Sequence, residues 1–149
     1  QARRILDMLT AGGAMDDINT ALALRLVPLA LELEDNELAE QLLHHAKANA
    51  SDDLERGWAD FENYKHAQKD IDAFAELGAQ SELLEEGTAL AAAISHHVAL
   101  LHLSQEEYEE AHTFASRSLR LRESIDDLNG IAYGLALLET CSKKLFVSL

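Results

Sequence analysis

One cysteine, one proline and seven glycines are all that 149 residues hold of the residues that usually constrain or break a chain. A lone Cys141 forms no intramolecular disulfide, which favours a reducing, cytoplasmic setting. So little proline and glycine leaves few turns for a sandwich or a hairpin-rich fold. Aromatics reach only 5%. No apolar run approaches the ~18 residues that a membrane span needs. No signal-peptide pattern opens the chain either, because "QARRILDMLTAGG" reads as an amphipathic helix. The first residue is Gln1 rather than methionine, so a piece of something longer is expected. Basic charge is scarce as well. The net charge is −15, and between Lys69 and Arg117 there is no Lys or Arg against ten Asp and Glu. Nucleic acid and anionic membrane are thereby disfavoured as partners. The acidity either keeps the surface solvated or selects a basic partner.

What the chain does have is leucine and alanine, both good helix formers, within a hydrophobic content of 48%. That is enough for a single core at this length. The 3.6-residue period predicts helices over 1–11, 18–33 (with Pro28 inside), 36–49, from Ser51-Asp52-Asp53 to about 66, 70 to about 85, 88–103, 105–121 and 128–142. The tail "KKLFVSL" reads as the start of one more. Ser104 and Glu107 have capping-box spacing for the helix at 105. Pro28 should either kink its helix or begin a new one. Gly78 in "AELG" either lies inside a helix or ends it, in which case a longer helix starts at Ser81.

The helices recur in pairs. In "ALELEDNELAEQLLHHA" an acidic turn precedes Ala39, Leu43 and Ala46, and in "SQEEYEEAHTFASRSLRL" one precedes Tyr108, Ala111, Ala115 and Ser118. Ala111 stands 72 residues after Ala39, twice 36, and Trp58, Phe61, Ile71 and Phe74 mark the copy between. The preceding helices, "LRLVPLAL", "GWADFENY", "AISHHVAL" and "IAYGLALL", step by 33 to 38 residues. Small residues, Ala39, Ala46, Ala99, Ala111 and Ala136, are expected where helices approach closely.

With these motifs the chain resembles a tetratricopeptide-repeat protein, a stack of helical hairpins of roughly 34 residues. Trp58 stands where that family favours tryptophan. Asn36, Glu62, Phe74 and Gly78 depart from its pattern. The resemblance implies an all-α fold of antiparallel helical hairpins stacked as a right-handed superhelix. It implies one domain over 1–149, with three to four repeats and partial repeats at both ends. Gln1 then falls where the second helix of an earlier repeat begins, and Leu149 just inside the second helix of a fourth. Apolar surface at the ends and a homodimer through the terminal helices are expected from such open repeats.

The resemblance also places a peptide-binding groove on the first helix of each pair. By matched position its residues are Arg56, Asn63, His66, His96, Leu100, Ser104, Tyr133 and Thr140. The expected function is a non-enzymatic protein- or peptide-binding module, a scaffold or sensor segment of a larger bacterial regulatory protein, with a partner that is basic if the acidity selects it. Leu24 and Pro28 occupy the positions from which the family clamps a chaperone's C-terminal carboxylate, which argues against that activity. A structural homo-oligomer is the alternative, and a His-rich metal-binding protein a more distant one. His96, His97, His102 and His112 lack the three- or four-residue spacing that a zinc site on one helix needs. Neither a catalytic group nor a cofactor motif stands out. "AGGAM" lacks the spacing and lysine of a phosphate loop, and Cys141 has no base near it in sequence.

Overall fold

The computed structural model describes residues 1–148, of which helices take up 81% of the chain with no strand among the described residues. Eight α-helices follow one another: α1 Ala2–Thr10, α2 Thr20–Glu32, α3 Asn36–Ala48, α4 Asp53–His66, α5 Ile71–Glu82, α6 Thr88–Ser104, α7 Tyr108–Ser124 and α8 Leu128–Ser148. A single 3-10 turn, Ala14–Asp17, lies between α1 and α2. The fold is all-α, and helices adjacent in sequence pack against each other within two compact units, Gln1–Ala67 and Gln68–Leu149.

Local chemistry sets the boundaries. Asn19, Asp35, Asp52 and Asp70 cap α2, α3, α4 and α5 by accepting a backbone N–H of the first turn. Asp127 does the same for α8 through the N–H of Gly130. Ahead of α4 the Glu55 carboxylate accepts both the N–H and the hydroxyl of Ser51, at 2.8 Å each. The three-residue turns after α2, α6 and α7 are alike. Each puts an acidic residue, Glu34, Glu106 or Asp126, at positive φ. In each the next residue donates its N–H five residues back, Asp35 to Ala30, Glu107 to His102 and Asp127 to Arg122. These are Schellman closures with the left-handed position filled by a carboxylate side chain in place of glycine.

In the first unit, α2 and α3 form a hairpin against which α4 packs, and α4 also touches α2. Their core holds Ala23, Val27, Ala30, Leu38, Leu42, Leu43, Ala46 and Ala59. In the second unit α6 packs with both α5 and α7, α7 with α8, and α8 also with α6. Ala99, Ala111, Ala115, Leu137 and Cys141 are buried together there. Thr20 donates to the Ala46 carbonyl at 2.8 Å, and Ser118 to the Ala92 carbonyl at 2.7 Å. Position 92 follows position 20 by 72 residues, and 118 follows 46 by the same distance. The two hairpins therefore share one cross-link, with donor and acceptor exchanged.

Several expectations need correction. Helix α7 begins at Tyr108 rather than 105, and the capping box is not made. Ser104 is the last residue of α6, and its hydroxyl donates to Leu101 instead. Pro28 neither ends nor starts a helix, since α2 continues through it. Helix α5 runs past Gly78, as the regular register from 70 to about 85 expects, so the alternative of a long helix from Ser81 does not form. Gly78 is buried where a Cβ would stand 3.2 Å from Ile94 Cγ2, so glycine permits the close approach of α5 and α6 beside fully buried Phe74. Ala136 is exposed, because the buried stripe of α8 is Gly130, Gly134, Leu137 and Cys141. The tail does not open a new helix, since α8 extends without a break to Ser148. Leu149, placed in a further helix by the repeat phase, lies outside the described residues.

Candidate functional site

Within the first unit, Arg56, Asn63 and His66 recur at helical spacing along α4. Arg56 is exposed and ion-paired with Asp53 one turn earlier, which raises its already high pKa. The Asn63 amide donates to the Ala59 carbonyl at 2.8 Å, which leaves its own carbonyl oxygen as an acceptor. His66 Nε2 lies 3.4 Å from the Glu40 carboxylate of α3. Asn63 and His66 join Glu40, Leu43, His44, Lys47 and Ala48 around a cleft of about 240 Å³ between α3 and α4. Lys47, whose ammonium sits 2.9 Å from Asp60, has its pKa raised by that carboxylate. The α3 residues of this cleft were not expected, because the resemblance directs attention to first helices only.

Within the second unit, His96, Leu100 and Ser104 follow at four-residue steps along α6, and Tyr133 and Thr140 at a seven-residue step along α8. Leu100 and Tyr133 are open to solvent, at 43% and 70% exposure. Ser104 and Thr140 turn their hydroxyls back to carbonyls of their own helices, Leu101 and Ala136. His96 is not a free cation. Arg122 of α7 donates from Nη1 to His96 Nδ1 at 3.0 Å and to the Gly130 carbonyl of α8 at 3.1 Å. A guanidinium only donates, so Nδ1 must be the unprotonated nitrogen of a neutral ring. Burial first, then Arg122 and His97, lower the His96 pKa to about 4. Burial also lowers the pKa of Arg122. Sequence reasoning missed Arg122, yet the spacing could have found it. It follows His96 by 26 residues, the separation that also joins Thr20 to Ala46, Ala92 to Ser118 and Glu40 to His66.

No family model, curated protein or solved structure matches the chain. Its chemistry has to be read from its own residues. Cys141 is fully buried and its thiol is pushed up by that burial, away from the thiolate that a nucleophile needs. His102 is buried, stacks on Phe114 with ring centres 5.5 Å apart, and has Nδ1 3.2 Å from Glu107. Among the described residues no three His, Cys, Asp or Glu side chains gather as a metal-binding set. No described helix is long and apolar enough to cross a membrane. An acidic cleft of about 500 Å³ is formed where α7 begins and α8 ends, lined by Glu106, Glu107, Tyr108, Glu109, Glu110, Leu145 and Ser148. Glu107 is hydrogen-bonded to His102, and Glu106, Glu109 and Glu110 have no ion-pair partner among the described residues.

Proposed function

We propose that the chain is a tetratricopeptide-like array of helical hairpins that binds a protein or peptide and has no catalytic activity of its own. One observation carries this reading. The Thr20–Ala46 and Ser118–Ala92 cross-links, and the Asp35 and Glu107 turns, recur at the same 72-residue interval. Repetition at the level of hydrogen bonds supports a chain built by copying one hairpin unit, as in repeat proteins, whose extended surfaces serve recognition. Each unit offers its own exposed stripe for binding, Arg56 with the backbone-pairing amide of Asn63 on α4 of the first, and Leu100 and Tyr133 on α6 and α8 of the second. Thr140, His66, Ser104 and His96 flank them. The partner is basic, a choice supported by the net charge of −15 over the whole chain. One buried cysteine suits a cytoplasmic, reducing setting.

The test is binding of the purified chain to an array of peptides of varied charge. Peptides rich in Lys and Arg should be selected. A Leu100→Ala, Tyr133→Ala double variant should bind the selected peptide at least about tenfold more weakly, since both side chains are exposed and their loss leaves the core intact. No selection of any peptide, or equal affinity of the double variant, contradicts the proposal.

A further inference from the structure

Helix α8 carries a second apolar face that nothing in its own unit covers. Its buried stripe is Gly130, Gly134, Leu137 and Cys141. Turned away from that stripe are Leu128 at 78%, Leu135 at 53% and Phe146 at 81% exposure. Half-buried Ile131, Leu138 and Leu145 continue the pattern toward the core. Leu128, Ile131, Leu135, Leu138 and Leu145 fall on the a and d positions of a seven-residue repeat, broken only by Ser142. Leu138 packs on the unit's own core, but a helix packed on that side alone has no use for exposed Leu128, Leu135 and Phe146, whereas a helix packed along a second helix does.

We infer that this face is a self-association surface, on which α8 of a second copy packs antiparallel. Charge selects the occupant. Helix α8 holds Glu139 against Lys143 and Lys144, one net positive charge, in a chain of net −15. It is therefore a surface where two copies meet without bringing acid against acid. Orientation follows from the ends. Lys143 and Lys144 lie near the end of α8, and Asp126 and Asp127 immediately precede its start. An antiparallel pair sets each lysine end against the partner's aspartate end, and a parallel pair sets like against like. The antiparallel register also places Leu128 of one copy against Phe146 of the other, around a two-fold axis. A 21-residue helix gives a single seam about 30 Å long, small beside the interfaces of obligate dimers. The dimer is accordingly reversible, with a dissociation constant in the micromolar range. It uses a different face of α8 from Tyr133 and Thr140 and stands independently of the peptide-binding proposal.

Sedimentation equilibrium over micromolar to hundreds-of-micromolar concentration tests it, alongside disulfide trapping of a Leu128→Cys chain mixed with a Phe146→Cys chain. The native Cys141 is buried and does not compete. The expected results are a reversible dimer, at least about tenfold weakening by Leu135→Lys, and cross-linking of the two different variants to each other. Lys143→Glu with Lys144→Glu should weaken it further at low salt than at high salt. All five positions are exposed, and far-UV circular dichroism checks that each variant remains helical. A monomer at every concentration, a dimer indifferent to Leu135→Lys, or trapping of Leu128→Cys with itself in preference to Phe146→Cys overturns the inference.

Discussion

Thr20→Val and Ser118→Ala remove hydroxyls from equivalent positions of two hairpins, yet the two losses should differ in size. Both side chains are almost wholly buried, at 1% and 0% exposure. Both bonds are short, at 2.8 and 2.7 Å. The acceptors are not equivalent. Ala46 lies in the last turn of α3, where Asn49 N–H goes to His45 and Ala50 N–H to Lys47. Its carbonyl is one of the orphans of a helix end, and Thr20 is its partner. Ala92 lies inside α6, where its carbonyl also takes the ordinary helical bond from four residues ahead. Thr20→Val therefore leaves a buried carbonyl unpaired and should cost about 2–3 kcal/mol, while Ser118→Ala loses a second bond at about 1 kcal/mol. Urea unfolding followed by circular dichroism measures both against the parent chain. Equal losses, or a Thr20→Val loss below about 0.5 kcal/mol, would refute the assignment of Thr20 as the cap of α3.

Three further outcomes follow from the same geometry. Gly87→Ala should destabilise by about 2 kcal/mol or more in a thermal melt, because a Cβ there would sit 1.9 Å from the Ser81 carbonyl and the backbone must move; an unchanged melt contradicts it. Glu106→Gly should stabilise by about 0.5–1 kcal/mol in the same melt, since residue 106 holds φ of 59° at a position suited to glycine. The folded His96 pKa of about 4 lies below that of the unfolded chain, so its contribution is complete above about pH 6.5 and is lost as pH falls toward 4. Solvent screening of the partly buried ring reduces that loss to about 1 kcal/mol; an NMR titration placing His96 near its ordinary value would contradict it, and Arg122→Gln should raise the measured value.

The sequence made the all-α class and most helix spans readable because the signals were local. Asp52 and Asp70 announced their helix starts through side chains that reach only three residues. The apolar period outlined α3 and α6 directly. The start of α7 was misplaced because its turn is marked by Glu106 at positive φ, where a glycine would have been visible as a break. Ser104 carried a plausible capping signal, but α6 continued far enough to use that residue as its end. On α8 two apolar stripes overlap, so pattern alone could not tell that Gly134 faces Leu119 while Ala136 faces solvent. The candidate site was less readable for a different reason. Which partner each polar group takes is a tertiary fact, and Arg122 neutralises His96 from another helix.

The most direct test of a binding surface on the first helix of each pair is an NMR shift map. The isotope-labelled chain would be titrated with a peptide selected from the array, following the amides of all described helices. The proposal predicts perturbations concentrated on α4, α6 and α8, around Arg56, Asn63, Leu100 and Tyr133. Perturbations confined to α3, α5 and α7, with those residues unmoved at saturation, would contradict it.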